Sequence, residues 1–280
     1  MQNKEMTDLH TYLRSLAARY ETKEFLVGDP SWFMHQVEGD SDKELLAFMA
    51  AALSYGSRKQ FLPKIDRLLC HARDYSLQTC ATLPHDGIIR RWLEDRAYAD
   101  VVPDDDACFY RLYTNRTMNG FLQALADIVT EYGSLKNLVS TNAHDNTAIE
   151  AIRVMTEAFR ERGSKGVIPK DTSSSCKRVC MFLRWMVRDN SHVDLGLWTD
   201  IIDKRSLIIP MDTHVVQEAM RLGLITSRST SMANAMKLSR KLAECFPDDP
   251  ARGDLPCSVS EWTTRRGMLR FSCRVDRQTG

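Results

Sequence analysis

Apolar residues recur at three-to-four spacing through nearly every patterned segment of this 280-residue sequence, and no convincing strand alternation interrupts them. That periodicity restricts the expected fold class to all-α. Ser41 and Glu44 stand at the N-cap and N3 positions of a capping box, and the helix they open carries Leu45, Leu46, Phe48, Met49, Ala52 and Leu53. So little polar surface remains that this helix is expected inside a bundle, ending at Tyr55-Gly56-Ser57. Residues 61–75, 106–117 and 121–131 show the same spacing, with Gly133 as a helix stop. A short helical piece is expected at 195–202.

No stretch approaches the roughly 18 uninterrupted apolar residues that a membrane span needs, and the segment to Asp29 is charged throughout, without a signal-like apolar run. A cytoplasmic monomer with no membrane partner is expected. The eight cysteines form no C-x-x-C pair, so neither a zinc nor an iron–sulfur site is expected, and no cofactor; the thiols read as reduced and mostly buried. A net charge of +1 does not exclude nucleic acid, because one basic face suffices for binding. Between Ala151 and Asn190, nine basic residues (Arg153, Arg160, Arg162, Lys165, Lys170, Lys177, Arg178, Arg184, Arg188) face four acids, which suits a phosphate-facing surface. A solvated helix face has the same composition.

The segment 176–188 places Val179, Phe182, Leu183, Met186 and Val187 on one face, with Lys177 in its first turn. Upstream, Pro169 to Ser175 is turn-rich. The hydroxyls of Ser173, Ser174 and Ser175 are suited to capping the helix, and the backbone N–H groups around them to facing an anion such as a DNA phosphate, with Lys170 alongside. An ordinary capped turn fits equally. Further on, Pro210-Met211-Asp212-Thr213-His214 opens a helix with Val215, Val216, Ala219 and Met220 on its apolar face, Arg221 in the last turn and Gly223 at its end. Asp212 is well placed as its N-cap, a role that needs no catalysis. His214, in the first turn, reads either as a packed or solvated side chain or as a DNA contact.

Ile209-Pro210-Met211-Asp212-Thr213-His214-Val215, followed by Arg221-Leu222-Gly223-Leu224, resembles the I-x-V-D-T-H-V…R-L-G-L signature of helix-hairpin-helix DNA glycosylases such as endonuclease III. The chain to about Asp254 further resembles a bacterial family distantly related to those enzymes, through Gly28-Asp29-Pro30, Ala51 to Gly56, Phe109-Tyr110-Arg111, Cys176-Lys177-Arg178 and Phe182 to Arg188. The resemblance implies a two-lobed helical glycosylase fold with a helix-hairpin-helix-like element. Residues 42–188 would form a helical barrel, residues 1–41 and 193–254 a second lobe, and lesion-bearing double-stranded DNA would cross the cleft between them. The turn from Tyr55 to Gln60 lies where such enzymes place residues that fill the space left by an everted base. Asp212 would be the carboxylate beside the sugar C1′. Lys177 would be the amine that forms a Schiff base in lyase-competent members, or else a phosphate-binding or solvated lysine. Arg178, Arg184 and His214 would join Lys170 and the serines as DNA contacts. In place of the glycine-containing hairpin L-P-G-V-G-x-K stands Ser173-Ser174-Ser175-Cys176-Lys177, and Lys177 and Asp212 are 35 positions apart, comparable with archaeal 8-oxoguanine glycosylases.

After Asp254 the chain reads Leu255-Pro256-Cys257-Ser258-Val259-Ser260, where relatives continue F-A-L-F-G-L-G. Deleting a single T from codons for D-F-A-L-F-G-L-G yields D-L-P-C-S-V-S, so residues 255–280 are expected to be a frameshifted, non-native tail. Three classes of function follow: a glycosylase acting on an oxidised purine, with or without lyase activity; a DNA-binding protein that retains the fold without the chemistry; and an enzyme on another nucleic-acid substrate. What separates them is whether Lys177 and Asp212 face one pocket.

Overall fold

The computed structural model describes residues 2–79 and 87–254, with side chains from Thr7 onward. The expectation of a non-native tail falls on 255–280, outside the described residues. The architecture is predominantly α-helical. In chain order the helices are α1 (Gln2–Tyr20), α2 (Asp40–Leu53), α3 (Arg58–Thr79), α4 (Ile88–Glu94), α5 (Asn115–Tyr132), α6 (Leu135–Asn142), α7 (Ala148–Glu161), α8 (Lys177–Val187), α9 (Thr213–Arg221) and α10 (Met232–Ala243). A two-stranded antiparallel hairpin, β1 (Cys108–Tyr110) and β2 (Tyr113–Thr114), precedes α5. No helix among the described residues is long and apolar enough to cross a membrane.

Helix α2 occupies the centre, as its composition requires. Every residue from Glu44 to Leu53 is buried, and α3, α4 and α8 pack around it. Phe48 lies 5.0–5.8 Å from the rings of Phe121, Phe159 and Phe182, tying α2 to α5, α7 and α8. Burial of each such ring contributes roughly 2–3 kcal/mol of transfer free energy. At the other end of the chain, α1 packs beside the segment that follows α10, where the Arg14 guanidinium donates to the Cys245 carbonyl at 3.0 Å. Gly133 closes α5 with φ 81°, as expected.

The capping box does not form. Gly39 is the N-cap of α2, and the Ser41 hydroxyl is buried without a hydrogen-bond partner. Glu44 instead accepts backbone N–H groups of Leu135 at 2.8 Å and Lys136 at 3.1 Å, and the Trp198 indole N–H at 2.9 Å. Asp42 likewise accepts from the backbone of Ile89 and Arg90. Glu44 and Asp42, near the start of the central helix, therefore cap two neighbouring helices, α6 and α4, whose first N–H groups have no intrahelical acceptor.

Two expected helices are replaced. Residues 106–117 form the hairpin and only the start of α5, because Phe109, Tyr110 and Tyr113 favour strand and short apolar runs do not separate the two periods. Residues 195–202 form turns. There Leu195 N–H donates to the Trp185 carbonyl at 2.7 Å and Trp198 N–H to the Met186 carbonyl at 2.8 Å, so the segment closes the free C-terminal carbonyls of α8 rather than building its own ladder.

Candidate active site

Helix α8 opens at Cys176, which adopts φ 47°, caps the helix without a side-chain hydrogen bond, and directs its thiol to the Asp171 carbonyl at 3.3 Å. The preceding serines do not cap α8. Ser175 is buried: its N–H donates to the Thr230 carbonyl at 3.1 Å and its hydroxyl to the Met211 carbonyl at 3.0 Å. Ser174 bridges to Ser231. These bonds stitch the loop before α8 onto the residues before α9 and α10. The N-termini of α8 and α9 are thereby brought together, with Lys177 in the first turn of one and Asp212 capping the other.

Lys177 Nζ donates to Asp212 Oδ2 at 2.6 Å. Asp212 Oδ1 accepts the backbone N–H groups of His214 at 3.0 Å and Val215 at 2.9 Å, so the carboxylate is both N-cap and partner of the lysine. Burial is the largest single influence on this carboxyl and works to raise its pKa; the charge and hydrogen bond of Lys177, with the Val215 N–H, outweigh it and hold the group below its ordinary value. Both side chains are partly exposed, on a cleft of about 720 Å³, within the size range of small-ligand pockets.

The sequence motifs quoted separately meet at this cleft. Asp29, Tyr55, Gly56 and Arg178 line it beside Lys177 and Asp212. Arg178 donates to the Ala52 carbonyl at the C-terminal end of α2 at 2.8 Å and to the Tyr113 hydroxyl at 2.5 Å. The Tyr110 hydroxyl donates to the Tyr55 carbonyl at 2.5 Å. Asp29, buried, forms an ion pair with Arg58 at 3.1 Å, and both line the cleft. Sequence reasoning gave Asp29 no role and Arg58 only a place in the turn from Tyr55 to Gln60; the cap-like Asp29-Pro30 step was the available signal, and Asp29 does cap the 3-10 turn Pro30–His35.

Two expected DNA contacts line the cleft but are buried and held by internal partners. Arg184 is not on a phosphate-facing surface: it is 4% exposed and pairs with Asp194 at 3.5 Å and Asp254 at 2.5 Å, because its position on α8 points it into the protein. Ser175 is likewise committed internally. Lys170 and Ser173 are exposed, as is His214, which also lines the cleft. The local basic excess is largely consumed by internal pairs: Arg153 with Glu150 and Glu157, Arg162 with Glu131, and Arg188 with Glu21, Asp194 and Asp249.

Residues 29–258 match the family model described as "Protein of unknown function (DUF2400)". The chain belongs to this family. The match spans every cleft residue named above from Asp29 to Asp212. No curated protein and no solved structure matches the chain.

Proposed function

We propose that this chain is a DNA-repair glycosylase that removes a damaged base, an oxidised purine by analogy with the archaeal enzymes, and that Lys177 gives it Schiff-base lyase activity. The observation that carries this reading is the 2.6 Å contact between Lys177 and Asp212 in one cleft. A lysine and a carboxylate sharing a pocket of this size favour an enzyme over a binding protein. With this reading go the two lobes, 42–188 against 1–41 and 193–254, and a duplex lying across the cleft between them.

The chemistry follows from the pair. As the C1′–N bond breaks, its electrons leave with the base and positive charge develops on the sugar, next to the Asp212 carboxylate. Attack on C1′ requires the neutral amine of Lys177; the proton it gives up passes by way of Asp212 to the departing base, so the carboxylate is charged again while the new C–N bond forms. Ring opening of that adduct gives the Schiff base, from which elimination breaks the bond to the 3′-phosphate. Lys170, Ser173, Ser174, Arg178 and His214 are the proposed DNA contacts around the cleft.

The test is borohydride trapping on duplexes carrying 8-oxoguanine, uracil or an abasic site, with Lys177→Gln and Asp212→Asn beside the wild type. A covalent adduct that disappears in Lys177→Gln is the expected result. Absence of both adduct and base release in a protein that binds duplex in a salt-sensitive manner would replace the enzyme with a DNA-binding protein.

A further inference from the structure

The turn joining β1 to β2 consists of two residues, Arg111 and Leu112, and both are unusual there. Arg111 adopts φ 50°, the left-handed conformation that glycine, asparagine or aspartate takes at lower cost in a tight hairpin. Leu112 is 77% exposed, so its side chain projects from the tip into solvent. A single exposed leucine is ordinary on a protein surface. What distinguishes this one is that the fold holds it in place beside the cleft.

Three contacts fix the hairpin to the cleft. Tyr110 donates to the Tyr55 carbonyl, Tyr113 accepts from Arg178, and the Arg111 guanidinium sits 5.1 Å from the centre of the Tyr55 ring. Gly56 leaves the room that this guanidinium occupies, since a Cβ there would stand 2.1 Å from Arg111 Nη1. On the flank, Lys64 Nζ lies 5.3 Å from the Phe109 ring centre. Of the acids nearest in sequence, Asp104 and Asp106 are bound to Arg116, and Asp105 accepts from the Ala107 N–H and the Asn115 amide. The tip therefore presents an apolar point on a hairpin anchored to Tyr55 and Arg178, next to Arg111 in its left-handed conformation. Strained backbone of this kind concentrates at functional sites.

We infer that Leu112 enters the base stack of duplex DNA beside the everted nucleotide, with Arg111 and Tyr55 as its support. The inference rests on the DNA reading above and adds to it the element that opens the stack. An apolar side chain inserted at a base step unstacks it and kinks the duplex, which lowers the cost of turning the neighbouring nucleotide out, while the Tyr55 to Gln60 turn remains the segment expected to fill the space it leaves. A flexible loop tip would lose ordering entropy in doing so; one already held by Tyr55 and Arg178 loses little.

The experiment is fluorescence of a duplex carrying 2-aminopurine next to a tetrahydrofuran abasic analogue, titrated with wild type, Leu112→Ala and Leu112→Met. Wild type is expected to raise the fluorescence several-fold. Leu112→Ala should lose at least about half of that rise while its affinity stays within about threefold and its salt dependence is unchanged, because phosphate contacts are untouched. Leu112→Met, which preserves an apolar wedge, should keep it. An undiminished rise in Leu112→Ala overturns the inference, as does binding by wild type with no rise at all, and in both cases the DNA reading stands. Absence of duplex binding by wild type removes the DNA reading and this inference with it.

Discussion

The two oxygens of Asp212 have different partners: Oδ2 lies 2.6 Å from Lys177 Nζ, whereas Oδ1 caps α9 by accepting from His214 and Val215. Structural and chemical roles are thus separable by substitution. Asparagine caps a helix about as well as aspartate, so Asp212→Asn should change stability by less than about 1 kcal/mol. The proposed charge stabilisation is lost, and base release should fall about 10²–10⁴-fold. Urea midpoints and single-turnover excision measured side by side test the division; an unchanged excision rate would leave Asp212 a helix cap alone.

Lys177→Gln bears on the same carboxyl from the other side. Lys177 supplies the two largest influences that lower the Asp212 pKa against burial. In the wild type the depressed pKa means that the stability contributed by ionised Asp212 is complete above the ordinary value of 3.8 and is lost as pH falls through the lower folded value. In Lys177→Gln the folded pKa rises, so this loss begins at higher pH. Carboxyl carbon NMR titration of Asp212 in both proteins reads the shift directly, and a titration curve that does not move upward contradicts it.

The legibility of this arrangement in the sequence was uneven, for reasons visible in particular residues. The Asp212 cap is a local signal: a capping residue precedes Val215, Val216 and Ala219, and the helix forms where they indicate. Lys177 in the first turn of α8 is equally local. Their contact joins positions 35 apart and depends on Ser175 bonding to Met211 and Thr230, which no periodicity reveals. Glu44 misled for the same reason, because a Ser-x-x-Glu string announces a box, while the donors that claim this carboxylate lie 91 positions away on α6. Arg184 looked like a phosphate contact because charge alone does not indicate which face of a helix is buried.

Glu44 offers a test of that long-range cap. Burial raises its pKa above the ordinary 4.5, outweighing the Leu135, Trp198 and Lys136 donors that lower it. A raised folded pKa contributes stability that is complete below the unfolded value and is lost as pH rises through the folded one. Glu44→Gln abolishes that pH dependence and sets an amide nitrogen against backbone donors, at a cost of about 1–3 kcal/mol. Wild type should therefore be more stable at acid pH, by a margin that narrows toward pH 8. Urea unfolding at several pH values decides, and a margin that widens with pH would mean the three donors outweigh burial.

Arg188 is 1% exposed and holds Glu21, Asp194 and Asp249, joining the residues after α1, the end of α8 and the segment after α10. Removing one cation leaves three acids without their shared partner. Arg188→Met should cost about 3–5 kcal/mol, the range for breaking a buried pair from one side. Thermal and urea unfolding measure it; a loss below about 1 kcal/mol would show that water or other donors take over the carboxylates.

Gly56 and Arg111 are coupled through shared space. Gly56 has φ 87°, and an added Cβ would meet Arg111 Nη1 at 2.1 Å. Gly56→Ala therefore carries two penalties. One is the left-handed backbone, about 1–2 kcal/mol for a residue with a Cβ. The other is displacement of the guanidinium from the Tyr55 ring, about 0.5–1 kcal/mol for a partly exposed cation–π contact. In an Arg111→Ala background the second penalty has already been incurred and only the first remains. A double-mutant cycle by urea unfolding should thus find Gly56→Ala less costly when Arg111 is absent, by about 0.5–1 kcal/mol. Equal costs in both backgrounds would mean that the guanidinium finds an equally good position away from Tyr55 and that the hairpin tip is held by Tyr110 and Tyr113 alone.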